Sequence, residues 1–172
     1  MDGFDLEDPV NKEFWENSQI QTALNNTMKP SEIDPADYVV IHFVGGHGTM
    51  WDFPQNEALA GIASRIYQNH GVVSAVCHGP AGLVNIKLPD GSYLINGREV
   101  AGFSNAEEKA AGLTEVVSFL LEDKLKERGA KYSEGEMFTE HVVRDGRLVT
   151  GQNPQSAKKM AEIVLELLKS KK

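Results

Sequence analysis

The stretch GVVSAVCHGP, residues 71–80, reads as an apolar strand that ends on a cysteine and turns at once into a proline-started element. Val72, Val73, Ala75 and Val76 leave almost no polar alternation, as expected of a strand buried on both faces of a parallel sheet. Proline is favoured in a first helical turn, so a helix is expected over 80–85. Upstream, YVVIHFV at 38–44 is a second apolar, β-branched run, closed by Gly45-Gly46 and expected to be buried on both faces as well. Between the two runs Leu59, Ile62, Ala63, Ile66 and Tyr67 recur at helical spacing. Strand, helix, strand in that order implies a parallel sheet with right-handed crossovers, hence an α/β fold.

Downstream, Asn96-Gly97 splits short runs between Ser92 and Phe103 and predicts a type I′ hairpin. A helix is expected from Thr114 to Arg128, with Val116, Val117, Leu120, Leu121 and Leu125 on one stripe and Gly129 as its stop. Asp145-Gly146 predicts a second hairpin joining 141–143 to 148–150. Asn153-Pro154 opens a last helix whose Ala157, Met160, Ala161, Val164 and Leu168 are expected to face inward. At the other end Pro9 and Asn11 open a helix through Phe14 and Trp15. A polar stretch, 25–37, follows with Pro30 and Pro35. A chain of 172 residues with 41% apolar content supports one core, so a single domain over 1–172 is expected, with 1–37 a helical and irregular connection and 38–172 the core.

A net charge of -8 argues against nucleic acid as a partner, because that binding needs clustered Lys and Arg. The lysine-rich run 169–172 is only a C-terminal fringe. No window reaches the roughly eighteen apolar residues of a membrane span. The opening MDGFDLEDP is acidic where a secretory signal would be basic, so a cytoplasmic protein is expected. One cysteine excludes an internal disulfide and a multi-thiolate zinc site.

Cys77 sits where a buried strand meets a new helix, the cysteine counterpart of a nucleophile elbow. Free N–H groups of that helix would lower the thiol pKa below its usual value of about 8.5 and favour a thiolate. The alternative is a small, buried, inert hydrophobe. His78 is a base to Cys77 if the turn swings its ring back, and otherwise a histidine satisfied by backbone. Gly45-Gly46-His47-Gly48 lies at the same carboxyl edge of the sheet. It either offers backbone N–H groups to an oxyanion or is simply a tight turn, and it lacks the continuation of a dinucleotide or phosphate loop. Trp51, Asp52 and Phe53 either line a pocket mouth or cover the core. Of Glu107 and Glu108, one carboxylate could orient the histidine, and paired glutamates are otherwise a solvated helix face.

GGHGTMWDFP at 45–54, AVCHGPAGL at 75–83, GFSNAEE at 102–108 and DGRLVTGQNPQSA at 145–157 together resemble the PfpI-like, or class I glutamine amidotransferase-like, superfamily. Within it they are most similar to the branch of heat-shock chaperones with glutathione-independent glyoxalase activity. The resemblance implies a flavodoxin-like three-layer sandwich, mainly parallel, with helices on both faces. It makes Cys77 the nucleophile, His78 its partner and Glu108 the acidic third member. Gly45, Gly46, His47 and Trp51 would form the oxyanion and substrate site, with no metal or organic cofactor. The implied reaction converts methylglyoxal or a related dicarbonyl to a hydroxy acid through a hemithioacetal. The same residues also resemble those of members described as protein deglycases, proteases or holding chaperones. The alternative to an enzyme is a stress-related protein that holds unfolded clients or a redox sensor in which Cys77 is merely oxidised, with a peptidase or amidase as a third reading. Family members usually begin with a strand-helix-strand unit of roughly 30 or more residues, which carries a glutamate that hydrogen-bonds the cysteine. This sequence shows no counterpart, so an N-terminally shortened fold is expected. Strand 38–44 would then have an unpaired apolar edge, for which a homodimer or other oligomer is the expected cover.

Overall fold

The computed structural model describes residues 5–170. They form two compact units, one ending at Ile33 and the other beginning at Asp34. The first unit holds helices α1 (Pro9–Glu16) and α2 (Ser18–Asn25). Each begins on a side-chain cap: Asp8 accepts from the N–H groups of Val10 and Asn11, and Asn17 from those of Gln19 and Ile20. The helix expected from Pro9 through Trp15 is α1.

The second unit contains β1 (Val40–Phe43), α3 (Thr49–Asp52), α4 (Glu57–Gln68), β2 (Val72–Val76), β3 (Glu99–Val100) and α5 (Asn105–Ala110). It continues with α6 (Leu121–Glu127), β4 (Lys131–Tyr132), β5 (Val142–Asp145), β6 (Leu148–Gly151) and α7 (Ala157–Lys169). Four strands form one sheet in the order β1-β2-β6-β5, the first three parallel and β5 antiparallel to β6. Every residue of β2 is buried. Because successive strand residues point to opposite faces, both faces of the sheet are covered there. Helices α4 and α7 both pack on β2. On α4, Ile62, Ala63, Ile66 and Tyr67 are buried as their spacing predicts, and Asp145-Gly146 turns β5 into β6 with Gly146 at φ 60°. The mainly parallel α/β expectation holds.

Several local expectations do not. Among the described residues β1 pairs only with β2, and it is not buried on both faces: Val40 and Ile41 are half-buried, His42 is exposed, and the flanking Val39 and Val44 are 61% and 56% exposed. Asn96-Gly97 makes a turn but no hairpin. Leu94 and Ile95 before it sink fully into the core, and β3 after it pairs in parallel with the distant β4. The helix expected over 114–128 shrinks to α6, because Leu120 has an extended backbone (φ -76°, ψ 121°) that interrupts the stripe, although Gly129 closes it as expected at φ 84°. The element at 80–85 is a 3-10 turn, Gly79–Leu83, rather than an α-helix. A 3-10 turn, Pro154–Ser156, precedes α7, whose inward stripe is carried by Met160, Ile163, Val164, Leu167 and Leu168, while Ala157 and Ala161 are exposed. Of the lysine run 169–172, the last two positions lie outside the described residues. Among the described residues no helix is long and apolar enough to cross a membrane.

What fixes the sheet to the turn beyond β2 is a backbone contact. A Cβ on Gly79 would stand 2.1 Å from the Phe43 carbonyl oxygen at the end of β1, whereas one on Gly61, on the exposed side of α4, meets nothing within 4 Å. Gly79→Ala is therefore expected to destabilise the fold by at least about 1–3 kcal/mol, the usual penalty of overpacking. Gly61→Ala should instead stabilise it by about 0.5–1 kcal/mol through helix propensity. Urea unfolding of the two variants checks both signs.

Candidate active site

Cys77 directly follows β2 and has a left-handed backbone, φ 60°. For a non-glycine residue this costs on the order of 1–3 kcal/mol, and it persists only where surrounding structure enforces it. Here the Cys77 N–H donates to the Gly151 carbonyl at 2.9 Å and the Phe103 N–H donates to the Cys77 carbonyl at 2.9 Å. Gly79 meanwhile lies against Phe43. The left-handed turn takes the side chain out of the sheet's alternation and toward the end of β1. Gly45 must lack a side chain there, because its Cβ would fall 2.8 Å from the Cys77 Cβ. The next residue, Gly46, has φ 102° and directs its N–H at the sulfur, as the His78 N–H also does.

The same turn swings the His78 ring back toward the sulfur. His78 Nδ1 lies 3.4 Å from Cys77 Sγ, and His78 Nε2 lies 2.7 Å from Glu108 Oε2. The other oxygen, Glu108 Oε1, is 2.9 Å from His47 Nε2. His78 is fully buried between two rings, His47 at a centroid distance of 4.0 Å and Phe103 at 4.3 Å. A nitrogen facing a carboxylate carries the proton, so the network assigns Nε2–H to His78 and leaves its Nδ1 lone pair toward the thiol. Sulfur, imidazole and carboxylate stand in the order of a nucleophile, a base and the group that orients the base. The side chains of His47, His78 and Glu108 also bring one ligand atom each within 4.8 Å of one another, a set able to hold a metal ion.

The charge state differs from the expected thiolate. Burial pushes the Cys77 thiol up to about 11, against the opposing pull of the Gly46 and His78 N–H groups; the nearby Glu107 and Glu108 charges push the same way as burial. The element after Cys77 is a five-residue 3-10 turn, and so it lacks the aligned peptides that give a longer helix its N-terminal field. Burial also pushes His78 below the ordinary imidazole range, outweighing its hydrogen bond to Glu108. Near neutral pH the pair is a thiol facing a neutral imidazole. Cys77 is 8% exposed, close to the inert alternative by burial alone, but its donors and its imidazole distinguish it from a packing cysteine.

The two adjacent glutamates divide their tasks. Neither is a solvated face, since both are buried. Glu108 faces the imidazoles. Glu107 Oε2 instead accepts from the Ser104 N–H and hydroxyl, while its Oε1 accepts from the Phe138 N–H at 2.8 Å and the Asn153 amide at 2.9 Å. Burial alone would raise the Glu107 pKa, but these donors outweigh it and hold the carboxyl below its ordinary range. Phe138, pinned this way in a left-handed conformation (φ 55°), sits 6.2 Å from Phe103. Sequence reasoning missed this anchor, although Ser104-x-x-Glu107 is a readable capping box that marks Glu107 as structural. Of the other candidates, His47 is committed to Glu108, while Trp51 lies on α3 and is half exposed.

The DJ-1/PfpI family model matches residues 10–167. "Glyoxalase 3" of Candida albicans is 41% identical over 162 residues, covering 90% of this chain and 69% of that protein. "Glutathione-independent glyoxalase HSP31" of Saccharomyces cerevisiae is 37% identical over 178 residues, covering 99% of this chain and 73% of that protein. The crystal structure of glyoxalase III from Candida albicans superposes with a TM-score of 0.86 at 40% identity, over 92% of this chain and 70% of that one.

Two measurements test the site's electrostatics. Alkylation of Cys77 followed against pH should rise with a midpoint near about 11 and show no step below pH 8; a midpoint below the free thiol value would restore the thiolate. Glu107→Ala strands several buried donors and should cost at least about 3 kcal/mol in urea unfolding. Because the folded pKa of Glu107 is depressed, its contribution is complete above the unfolded value of about 4.3 and is lost as pH falls through the folded one. The stability difference between Glu107→Ala and the parent should shrink in that acid window.

Proposed function

The chain belongs to the DJ-1/PfpI family, and from that premise we propose that it is a glutathione-independent glyoxalase of the glyoxalase III type, converting methylglyoxal or a related small dicarbonyl to a hydroxy acid. The observation that carries this reading is the Cys77–His78–Glu108 chain at 3.4 and 2.7 Å, in a family whose relatives at this identity are named glyoxalases.

In this reading Cys77 Sγ attacks the aldehyde carbon while His78 Nδ1 takes the thiol proton, and Glu108 stabilises the imidazolium that forms. The negative oxygen created at that carbon meets the N–H groups of Gly46 and His78, and protonation yields a hemithioacetal. Once it has given up the thiol proton, His78 removes the proton from the former aldehyde carbon, the hemithioacetal hydroxyl proton passes to the neighbouring carbonyl oxygen and a proton is delivered to that carbonyl's carbon, leaving a thioester of the 2-hydroxy acid on Cys77. Water cleaves that thioester, releasing the acid and restoring the thiol. His47 and Trp51 belong to the substrate side of the site. No step calls on a metal or an organic cofactor. A cytoplasmic setting and a homodimer covering the β1 edge belong to the same reading.

A holding-chaperone reading draws on the exposed apolar residues flanking β1, Val39 and Val44. It predicts client protection that survives Cys77→Ser.

Lactate formation from methylglyoxal without glutathione tests the catalytic assignment. Cys77→Ser and His78→Ala should abolish it, and Glu108→Gln should lower kcat by about a hundredfold or more with little change in KM, the scale of a lost acid-base contribution. Turnover that persists at the parent rate in Cys77→Ser would reject the mechanism.

A further inference from the structure

Glu108 is shared between two imidazoles. Its Oε2 faces His78 Nε2 at 2.7 Å and its Oε1 faces His47 Nε2 at 2.9 Å, and the three ligand atoms of the set lie within 4.8 Å of one another. Two histidines and one carboxylate are a donor set for zinc-class cations, borderline ions that take imidazole and carboxylate together. We propose that His47, His78 and Glu108 form an inhibitory site for a zinc-class divalent cation, which would bind in place of the protons now held between the two Nε2 atoms and the carboxylate.

The geometry is close to what such an ion requires. Tetrahedral bonds of about 2.1 Å set neighbouring donors about 3.4 Å apart. The nitrogen-oxygen pair made by the ligating oxygen must open by about half an ångström from its hydrogen-bonded distance, and the spread of the three donors, up to 4.8 Å, must contract toward that spacing. His47 supplies the adjustable side, because its side chain is 35% exposed while those of His78 and Glu108 are 0% and 3% exposed. The exposed edge of His47 also gives the ion its way in and leaves room for a water as fourth ligand. His78 and Glu108 are held by their packing, with Phe103 against the His78 ring and α5 carrying Glu108.

Binding needs both Nε2 lone pairs free, so each neutral imidazole shifts its single proton from Nε2 to Nδ1, with no net proton released. Coordinated through Nε2, His78 therefore carries that proton on Nδ1, the atom that faces Cys77 Sγ. It can no longer accept the thiol proton. The sulfur takes no part in coordination, because it sits at the opposite ring nitrogen. That separates this site from ordinary poisoning of a cysteine by metal. Binding follows from the geometry alone, whereas its inhibitory effect rests on the assignment of His78 as the base.

Zn²⁺ titrated into the full chain by calorimetry, together with the visible spectrum of the Co²⁺ form, tests binding without reference to turnover. The expected result is one site, intense tetrahedral Co²⁺ bands without thiolate charge transfer, affinity retained in Cys77→Ser and at least about tenfold weaker binding in both His47→Gln and Glu108→Gln. Loss of the site in Cys77→Ser, unchanged affinity in His47→Gln, or no binding at all would overturn the proposal. Circular dichroism of each variant verifies folding, and the exposed His47 position keeps the test open if Glu108→Gln does not fold. In the parent chain, Zn²⁺ should suppress dicarbonyl turnover and a chelator should restore it. A chain that binds Zn²⁺ at this site but turns over no dicarbonyl even when metal-free would sink the glyoxalase reading and leave the site standing.

Discussion

The left-handed backbone at Cys77 is the constraint on which the rest depends. In an extended strand the sulfur would point into one face of the sheet, among the side chains that bury β2. At φ 60° it leaves that alternation and meets two backbone N–H groups and an imidazole instead. The conformation is unfavourable in isolation, and the fold maintains it from three sides. Gly151 on β6 accepts the Cys77 N–H, Phe103 caps its carbonyl, and Gly79 lets the chain pass against the end of β1. Sheet order thus becomes site geometry: β1 delivers the glycine turn, β2 the cysteine and β6 the support.

Burial sets the energetic character of the site. A buried thiol near pKa 11 costs about 3 kcal/mol more to ionise than a free one. The sulfur is therefore not held permanently charged, and in the proposed mechanism proton transfer to His78 is coupled to attack. The same burial keeps His78 neutral and ready to accept. In that mechanism Glu108 contributes where charge develops, and the low-polarity surroundings that penalise a resting thiolate strengthen that contribution. Glu107, one residue away, is held just as firmly but is fully occupied by Ser104, Phe138 and Asn153. It acts on the loop around Phe138 rather than on the nucleophile.

Elements whose side-chain period reflects burial were legible in the sequence. The apolar run at 72–76, interrupted by Ser74, announced the central strand, the spacing of Ile62, Ala63, Ile66 and Tyr67 announced α4, and Asp145-Gly146 announced the β5–β6 turn. Failures arose where tertiary contacts override a local pattern. Asn96-Gly97 has hairpin chemistry, but Leu94 and Ile95 are drawn into the core and β3 finds its partner in β4. Val116 and Val117 share helical spacing with Leu121 and Leu125, yet Leu120 is extended between them. At the site, adjacency of Cys77 and His78 on its own could not show that the ring turns back. The joining of His47 to Glu108 spans 61 residues of chain and leaves no local trace. The capping box at Ser104 is the one overlooked signal that would have separated the two glutamates beforehand.

A chemically ordinary cysteine thus gains its setting from backbone shape and burial. A crystal structure of this chain at neutral pH is the most direct test of that claim. The account predicts Cys77 in the left-handed region near φ 60°, with Sγ about 3.4 Å from His78 Nδ1 and the second imidazole nitrogen on Glu108. An extended Cys77, its sulfur packed among the valines of β2 and its neighbouring imidazole turned away, would contradict it.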